Sequence, residues 1–348
     1  MAGLIRYAEG DIVNDTQRLT TSTWANNTNA LTTATMHTSS VQYVNGTSPS
    51  ATALGSHFIN IYIDNSTSQS EFAVAYGHVA GSGSLEFTQG TGGTGFSPSR
   101  NIYNQYRQLV FGDETSTFSF NGYTPDHIFV VNVNRARYKH NLKPASMLLK
   151  LKASSQTRTY TDDSITTSGS AVITNAGRQF NIVEGTSAGV MSGTSLNQSS
   201  GGNKGSYGLF YPDAGFMIFN PDALDDEHTG TDLQPTTTQN LAANNNHELM
   251  YNAIKEGNSF VIDSEEKVSS QYYFTRARNS EFNYTTNPSF VDTNGNVNIT
   301  SFVDNPTTYI TTVGMYNDSG DLVAVAKLSQ PVTKDFTKEA LIRVKLDY

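Results

Sequence analysis

HIFVVNVNRARYKHNLKPASMLLKLKA, residues 127–153, sets two strand-length apolar runs on either side of a polar segment. The first, HIFVVNV, is rich in the β-branched and aromatic residues that suit a pleated, buried surface. The second, SMLLKLKA, alternates Leu149, Leu151 and Ala153 against Leu148, Lys150 and Lys152, a partly amphipathic pattern with the period of a strand. Runs of the same kind recur at HFINIYI (57–63), FAVAYGH (72–78), QFNIVE (179–184), YGLFY (207–211) and GFMIFN (215–220), each bounded by turn residues. Asn45-Gly46, Asn121-Gly122 and Asp213-Ala-Gly215 read as hairpin turns, because Asn and Gly tolerate the positive φ that such turns demand. The fold expected is mainly β, multi-domain, with antiparallel sandwich-like or barrel-like modules.

Helical periodicity is confined to two segments. SRNIYNQYRQLVF places Ile102, Tyr106, Leu109 and Val110 on one face, with Ser97-Pro98 or Ser99 as its start. NNNHELMYNAIKEG places Leu249, Met250, Ala253 and Ile254 on one face, with N-cap candidates at residues 244–246 and a stop at Gly257. Two stretches rich in Gly and Ser, 81–99 and 191–206, read as long ordered loops of the kind that serve function or settle against a neighbour. The expected division is 1–153, 154–257 and 258–348, the last an antiparallel β domain. In it, runs at 309–316, 321–329 and 339–347 form three strands with NDSG as a tight turn between the first two. Ile342, Val344 and Leu346 point one way in the last run, and LVAVAKL (322–328) is apolar on both faces, as in a strand covered on both sides.

Composition narrows the function classes. Charged residues make up 15% of the chain, against roughly 25% in an ordinary domain, and Ser, Thr, Asn and Gly take their place. There are no cysteines, which excludes a disulfide scaffold, a thiol nucleophile and a Cys-ligated zinc site. No run approaches the ~18 apolar residues of a membrane span, and the N-terminus lacks the apolar stretch of a signal peptide. A cytosolic site of synthesis and no membrane insertion are expected.

The chain is acidic, with a formal net charge of −9, yet residues 127–161 contain no carboxylate. Seven of the 22 basic residues lie there: Arg135, Arg137, Lys139, Lys143, Lys150, Lys152 and Arg158. Nucleic-acid binding would need a favourable overall field, which a net charge of −9 denies. The expected role is a solvated strand face or a socket for an acidic protein, with Arg135, Arg137, Lys139, Lys143, Lys150 and Lys152 as candidate docking residues.

Catalytic and metal signatures are weak. Gly185-Thr-Ser187-Ala-Gly189 matches a nucleophile elbow, but VMSGTSLNQSSGG after it cannot supply the helix whose amides complete an oxyanion hole. Asp222, Asp225, Asp226, Glu227, His228 and Asp232 could supply oxygen ligands to Ca²⁺, although a solvated acidic loop is the simpler reading. DTNGNVN (292–298) has its glycine too early for an EF-hand loop and reads as a hairpin turn. No catalytic residues, cofactor or metal are expected.

Four segments carry a family resemblance: SPSRNIYNQYRQLVFGDE (97–114), IFVVNVNRARYKHNLKP (128–144), QYYFTRARNSEFNYTTNPSF (271–290) and YITTVGMYNDSGDLVAVAKLSQPVTKDFTKEALIRVKLDY (309–348). Together they resemble structural virion proteins of contractile-tailed bacteriophages, in particular the cyanophage-like myoviruses. The resemblance implies a non-enzymatic tail or baseplate component in the virion, docking other tail proteins within a symmetric assembly of its own copies. A receptor-binding or fibre-attachment protein, and a virion-associated polysaccharide hydrolase or lyase, are the alternatives. Fibres would show long repeats or heptads, and none is present.

Overall fold

In the computed structural model, the structure describes residues 4–38, 58–64, 69–83, 97–153, 156–192, 204–225, 233–235, 246–284 and 288–348. The chain is mainly β, and its paired strands are antiparallel, as the strand-length runs predict. It forms two compact units, Leu19–Glu266 and Met1–Arg18 with Lys267–Tyr348.

The larger unit is built on a 13-stranded sheet. Its strands are β2 (Ala30–Leu31), β3 (His37–Thr38), β4 (Phe58–Tyr62), β5 (Phe72–His78), β6 (His127–Val133), β8 (Leu148–Ala153), β9 (Gln156–Asp162), β10 (Val172–Thr174), β11 (Gly177–Ser187), β12 (Val190–Met191), β13 (Gly208–Tyr211), β14 (Phe216–Phe219) and β15 (Phe260–Val261). The main path runs β2-β15-β8-β9-β11-β13-β14-β6-β5-β4-β3. Register makes the core legible. Phe180, Phe210, Met217, Val131, Val74 and Ile59 stand opposite one another in succession across six strands, and all belong to one apolar cluster. One residue along, Leu209, Ile218, Val130 and Ala75 form a second row in a cluster on the other face. This is the period-two alternation of a strand, with both sides covered.

Helix α1 (Pro98–Phe111) covers the second face through Ile102, Tyr103, Tyr106 and Val110. Ser97 is its N-cap and Gly112, at φ 78°, ends it in the left-handed conformation. Leu109, expected on the buried face, is 46% exposed, and Tyr103 occupies the core instead. A short helix α2 (Pro221–Leu224) follows β14. Helix α3 (Asn246–Gly257) covers the first face with Met250, Tyr251, Ala253 and Ile254. The turn between β13 and β14 is the predicted Asp213-Ala-Gly215. Gly215 has φ 78°, and a side chain there would run into the Tyr138 ring. Asn121-Gly122 also turns as expected, with both residues at positive φ between bridged Phe120 and Tyr123. Asn45-Gly46 lies outside the described residues, as does most of the two predicted loops.

The three-part division differs from the one observed. A boundary at 153/154 falls inside the β8–β9 hairpin, whose five registered pairs belong to one sheet. The later boundary, 257/258, comes closer to the observed 266/267. The chain passes between the units within β1 (Ile12–Ser22) and β16 (Asp263–Ala277), and β7 (Asn141–Leu142) pairs with Ser264 and Glu265.

The smaller unit holds β17 (Thr308–Tyr316), β18 (Leu322–Lys334) and β19 (Ala340–Asp347), close to the three runs expected. β19 pairs with β16 over eight residues, in the order β1-β16-β19, while β17 and β18 form a separate ribbon. Ile342, Val344 and Met315 are its buried centre, and Leu346 is half-buried beside them. Lys334 is fully enclosed, yet its ammonium donates to three oxygens, Asn279 O, Asn283 Oδ1 and Asp335 O, at 2.8–3.0 Å.

Candidate docking surface

The basic window does not form one patch. β6 and β8 were adjacent runs in sequence, but β14, β13, β11 and β9 stand between them in the sheet. Five inter-strand steps of about 4.8 Å put them roughly 24 Å apart. Residues 135–137 lie in a 3₁₀ turn rather than on a strand face, with the Asn134 side chain accepting from Ala136 N. Arg135 folds back over the Tyr138 ring at 4.6 Å and donates to Tyr138 O at 2.6 Å. Arg137 points inward: its Nη2 stands 3.1 Å from Glu71 Oε1, and it donates to the carbonyls of Ser70 and Gln69. Lys143 Nζ donates to Thr20 Oγ1 at 3.0 Å, and Arg158 pairs with Glu184 at 3.0 Å. Lys139 is exposed, and Lys150 and Lys152 are half-buried on the β8 face opposite Leu149 and Leu151. None of these three lysines has a carboxylate partner among the described residues.

The other sequence signals resolve into local structure. Gly185–Gly189 is the end of β11 and a turn into β12, so a strand stands where an elbow needs a helix, and Ser187 is exposed. Gly189 N donates to Thr161 Oγ1 at 2.7 Å, which fixes that turn. DTNGNVN is a turn bridged antiparallel by Val291 and Val297, with Asp292 accepting from the amides of Asn294 and Asn296. Of the acidic segment, residues 226–232 lie outside the described residues, and Asp222 faces the protein.

Asp222 anchors a polar cluster that sequence spacing gave no hint of. His127 Nε2 lies 3.0 Å from its Oδ1, and Tyr123 Oη donates to its Oδ2 at 2.7 Å. His78 stands in register with His127, their rings 6.1 Å apart, and the Tyr76 ring is 6.3 Å from His127. Burial would raise the Asp222 carboxyl, but the hydrogen bonds from His127 and Tyr123 and the charges of His127 and Lys204 hold it below its ordinary value. Burial, with His127 alongside, pushes the His78 imidazole down, against Asp126. Among the described residues, Tyr76 Oη and His127 Nδ1 are buried without a hydrogen-bond partner. A carboxylate that orients an imidazole is the geometry of a general base, and here the other imidazole nitrogen, Nδ1, is buried. The cluster joins β5, β6 and α2.

Several exposed apolar side chains of the smaller unit lie on the β17–β18 ribbon. Ala324 and Ala326 turn inward with Val313 and Met315, while Val323 and Val325 are 67% and 58% exposed. Tyr309, Tyr316 and Leu322 are exposed as well. The two-faced apolar pattern of LVAVAKL predicted cover on both sides, and the described residues cover one. Exposed apolar side chains gathered on one element are a candidate interaction surface. Beside β17 runs a groove of about 590 Å³ lined by residues of the same unit.

Fold and surface thus define a mainly β protein with two compact units, a closed polar cluster and an open apolar ribbon. No protein-family model, curated protein or solved structure matches the chain.

Proposed function

We propose that the chain is a non-enzymatic structural protein of a contractile phage tail, a baseplate component that docks neighbouring subunits in the virion. The observation that carries this reading is the β17–β18 ribbon, with Val323, Val325, Tyr309, Tyr316 and Leu322 open to solvent in a monomer. It lies in the segment 309–348, the longest of the four that resemble tail proteins. An apolar surface of this extent is costly to leave in water, at roughly 25 cal/mol per Å², and a permanent neighbour removes that cost. Lys139, Lys150 and Lys152 remain available as rim charges toward acidic subunits, where they would act on association rate more than on affinity.

The test is an image of the intact particle in which the chain is located. The expected result places it in the tail, in symmetric copies, with the ribbon against another subunit. A chain absent from the tail, or a ribbon facing open solvent in the particle, overturns the reading.

A further inference from the structure

We infer that the free edge of β17 and the groove beside it accept an extended, uncharged strand donated by a neighbouring polypeptide; this rests on the docking reading above and names the kind of segment that docks. The smaller unit is two-layered. One layer is β1-β16-β19, and the other is the β17–β18 ribbon, which packs Ile310, Val313, Met315 and Leu328 against Ile342 and Val344. Two strands cover three. The groove of about 590 Å³ is where the cover is short: the sheet contributes Thr275, Ala277 and Ile342, β17 contributes Thr312 and Met315 among others, and the N-terminal segment contributes Ile5 and Tyr7. Tyr7 is held there by a 2.7 Å hydrogen bond to Thr275 and an edge-on contact with Tyr273.

The two edges of the ribbon are built differently. β18 carries Lys327 and Pro331 along its length, and its ladder with β17 breaks between Ile310 and Thr312, leaving residues 328–331 outside the registered pairs. Lysine, proline and irregular pairing are the devices that keep a strand edge from recruiting another strand. The sequence of β17, TYITTVGMY, has no charge and no proline. Among the described residues it pairs only with β18, so its outer backbone amides and carbonyls have no ladder. Nine residues give an edge of about 30 Å at 3.4 Å per residue. Strand addition to such an edge gains backbone hydrogen bonds, and alternate side chains enter the adjoining groove.

Charge fixes the occupant. The groove is lined by one cation, Arg6, and one anion, Asp318, and otherwise by uncharged residues. A charged strand would lose its hydration there for no net complement, whereas an uncharged one loses little. A second copy is disfavoured by charge, since each copy carries a formal charge of −9. A lone uncharged strand from a different polypeptide does not bring that repulsion.

The experiment uses the full chain and a synthetic peptide copying residues 322–330 with Lys327→Thr, a charge-free version of the strand β17 already pairs with. Amide hydrogen exchange is followed residue by residue, with and without peptide. Exchange at β17 is expected to slow by about tenfold or more at saturation, and Thr312→Lys, which puts a charge on the edge, is expected to abolish that protection. Thr312→Ser, with an unchanged melt, should keep it and controls for folding. No protection at β17, or protection that Thr312→Lys leaves intact, overturns the inference. Protection of β17 in concentrated protein alone, together with a dimer in sedimentation, assigns the edge to a second copy and also overturns it. The particle image separates the two readings: a ribbon at an interface with β17 bare sinks the strand and keeps the docking function, and a chain absent from the tail that still binds peptide does the reverse.

Discussion

Replacing Arg137 with Met decides between the two roles a basic turn can have, a surface cation for a partner or an internal counter-ion. The Glu71 side chain is 0% exposed, and that of Arg137 is 13% exposed. Glu71 Oε2 accepts from Ala25 N at 3.1 Å. Its Oε1 has Arg137 Nη2 at 3.1 Å but no well-aligned N–H, so this contact is a charge pair rather than a directed hydrogen bond. Methionine keeps the apolar stem and removes the charge, leaving a buried carboxylate with one hydrogen bond. Breaking a buried pair from one side costs about 3–5 kcal/mol. The larger unit spans 248 residues, 19 to 266, for which each kcal/mol moves the midpoint about 2–4 °C, so the melt should fall by about 6–20 °C. Burial raises the Glu71 carboxyl, with Ala25 N and Arg137 drawing it back and Asp64 adding to the rise. A raised carboxylate binds its proton more tightly folded than unfolded. Stability therefore declines as pH climbs from the unfolded value through the folded one, and the penalty is complete above it. The Arg137→Met deficit should be largest near about pH 7.5 and smaller near about pH 5, where Glu71 takes up a proton more easily. Glu71→Gln with Arg137→Met leaves no buried charge and should recover most of the loss. Urea or thermal melts of the parent and the two variants at both pH values are the assay. An Arg137→Met protein within about 1 kcal/mol of the parent at both, the behaviour of an exposed cation, would refute the reasoning.

Three further outcomes follow from the geometry. Deleting the 14 residues from 335 to 348 removes Ile342 and Val344, worth together about 3–6 kcal/mol of burial, and the eight-residue ladder with β16; insoluble protein or proteolysis of the smaller unit is expected, and an unchanged melt would count against β19 as a core strand. Lys150→Glu with Lys152→Glu leaves folding intact and slows assembly in a way that added salt relieves, because new repulsion at a rim is screened over about 8–10 Å; an assembly rate unchanged at low salt removes these lysines from the docking surface. Against the opposite trend of Glu71, two groups of the larger unit contribute acid-labile stability in two windows: His78, depressed in the fold, below the ordinary histidine value, and Asp222, also depressed, below the ordinary carboxylate value as it protonates. His78→Asn, which keeps an acceptor for Ala80 N, should flatten the first window and spare the second in pH-dependent melts.

Local chemistry made much of the fold legible. β5 and β6 coincide with FAVAYGH and HIFVVNV because the apolar runs end where turn residues begin, and α1 starts at the Ser97-Pro98 signal. Phase was less secure: Leu109 and Tyr103 exchanged places because the helix packs a wide face that the four-residue pattern did not fix. The basic window failed for a different reason. Its residues are close in sequence, but strand order is decided by hairpins elsewhere, and four strands enter between β6 and β8. Arg137 pairs with a carboxylate 66 positions away, and the His127–Asp222 contact spans 95. Neither partner leaves a mark at the other's position, since a charge reads the same whether it faces water or a buried ion.

LVAVAKL shows what a pattern can and cannot carry. Apolar residues on both faces state that both faces are to be covered, and β5, β6, β13 and β14 meet that demand inside the larger unit, with α1 on one side and α3 on the other. β18 carries the same demand, and only its inner face meets Ile342 and Val344. Hydrophobic burial is indifferent to whether the covering atoms belong to the same chain, because the gain scales with area removed from water and not with connectivity. The sequence therefore asks for a cover on both faces of β18, and the described residues supply the inner one. What separates a vacancy for a neighbour from a simple exposed surface is the treatment of the adjoining edge. Lys327 and Pro331 blunt β18, while β17 is left uncharged and beside a groove. An edge kept open on one side only, next to the face that lacks its cover, fits a site of assembly better than a solvent-adapted surface, which would be blunted on both sides.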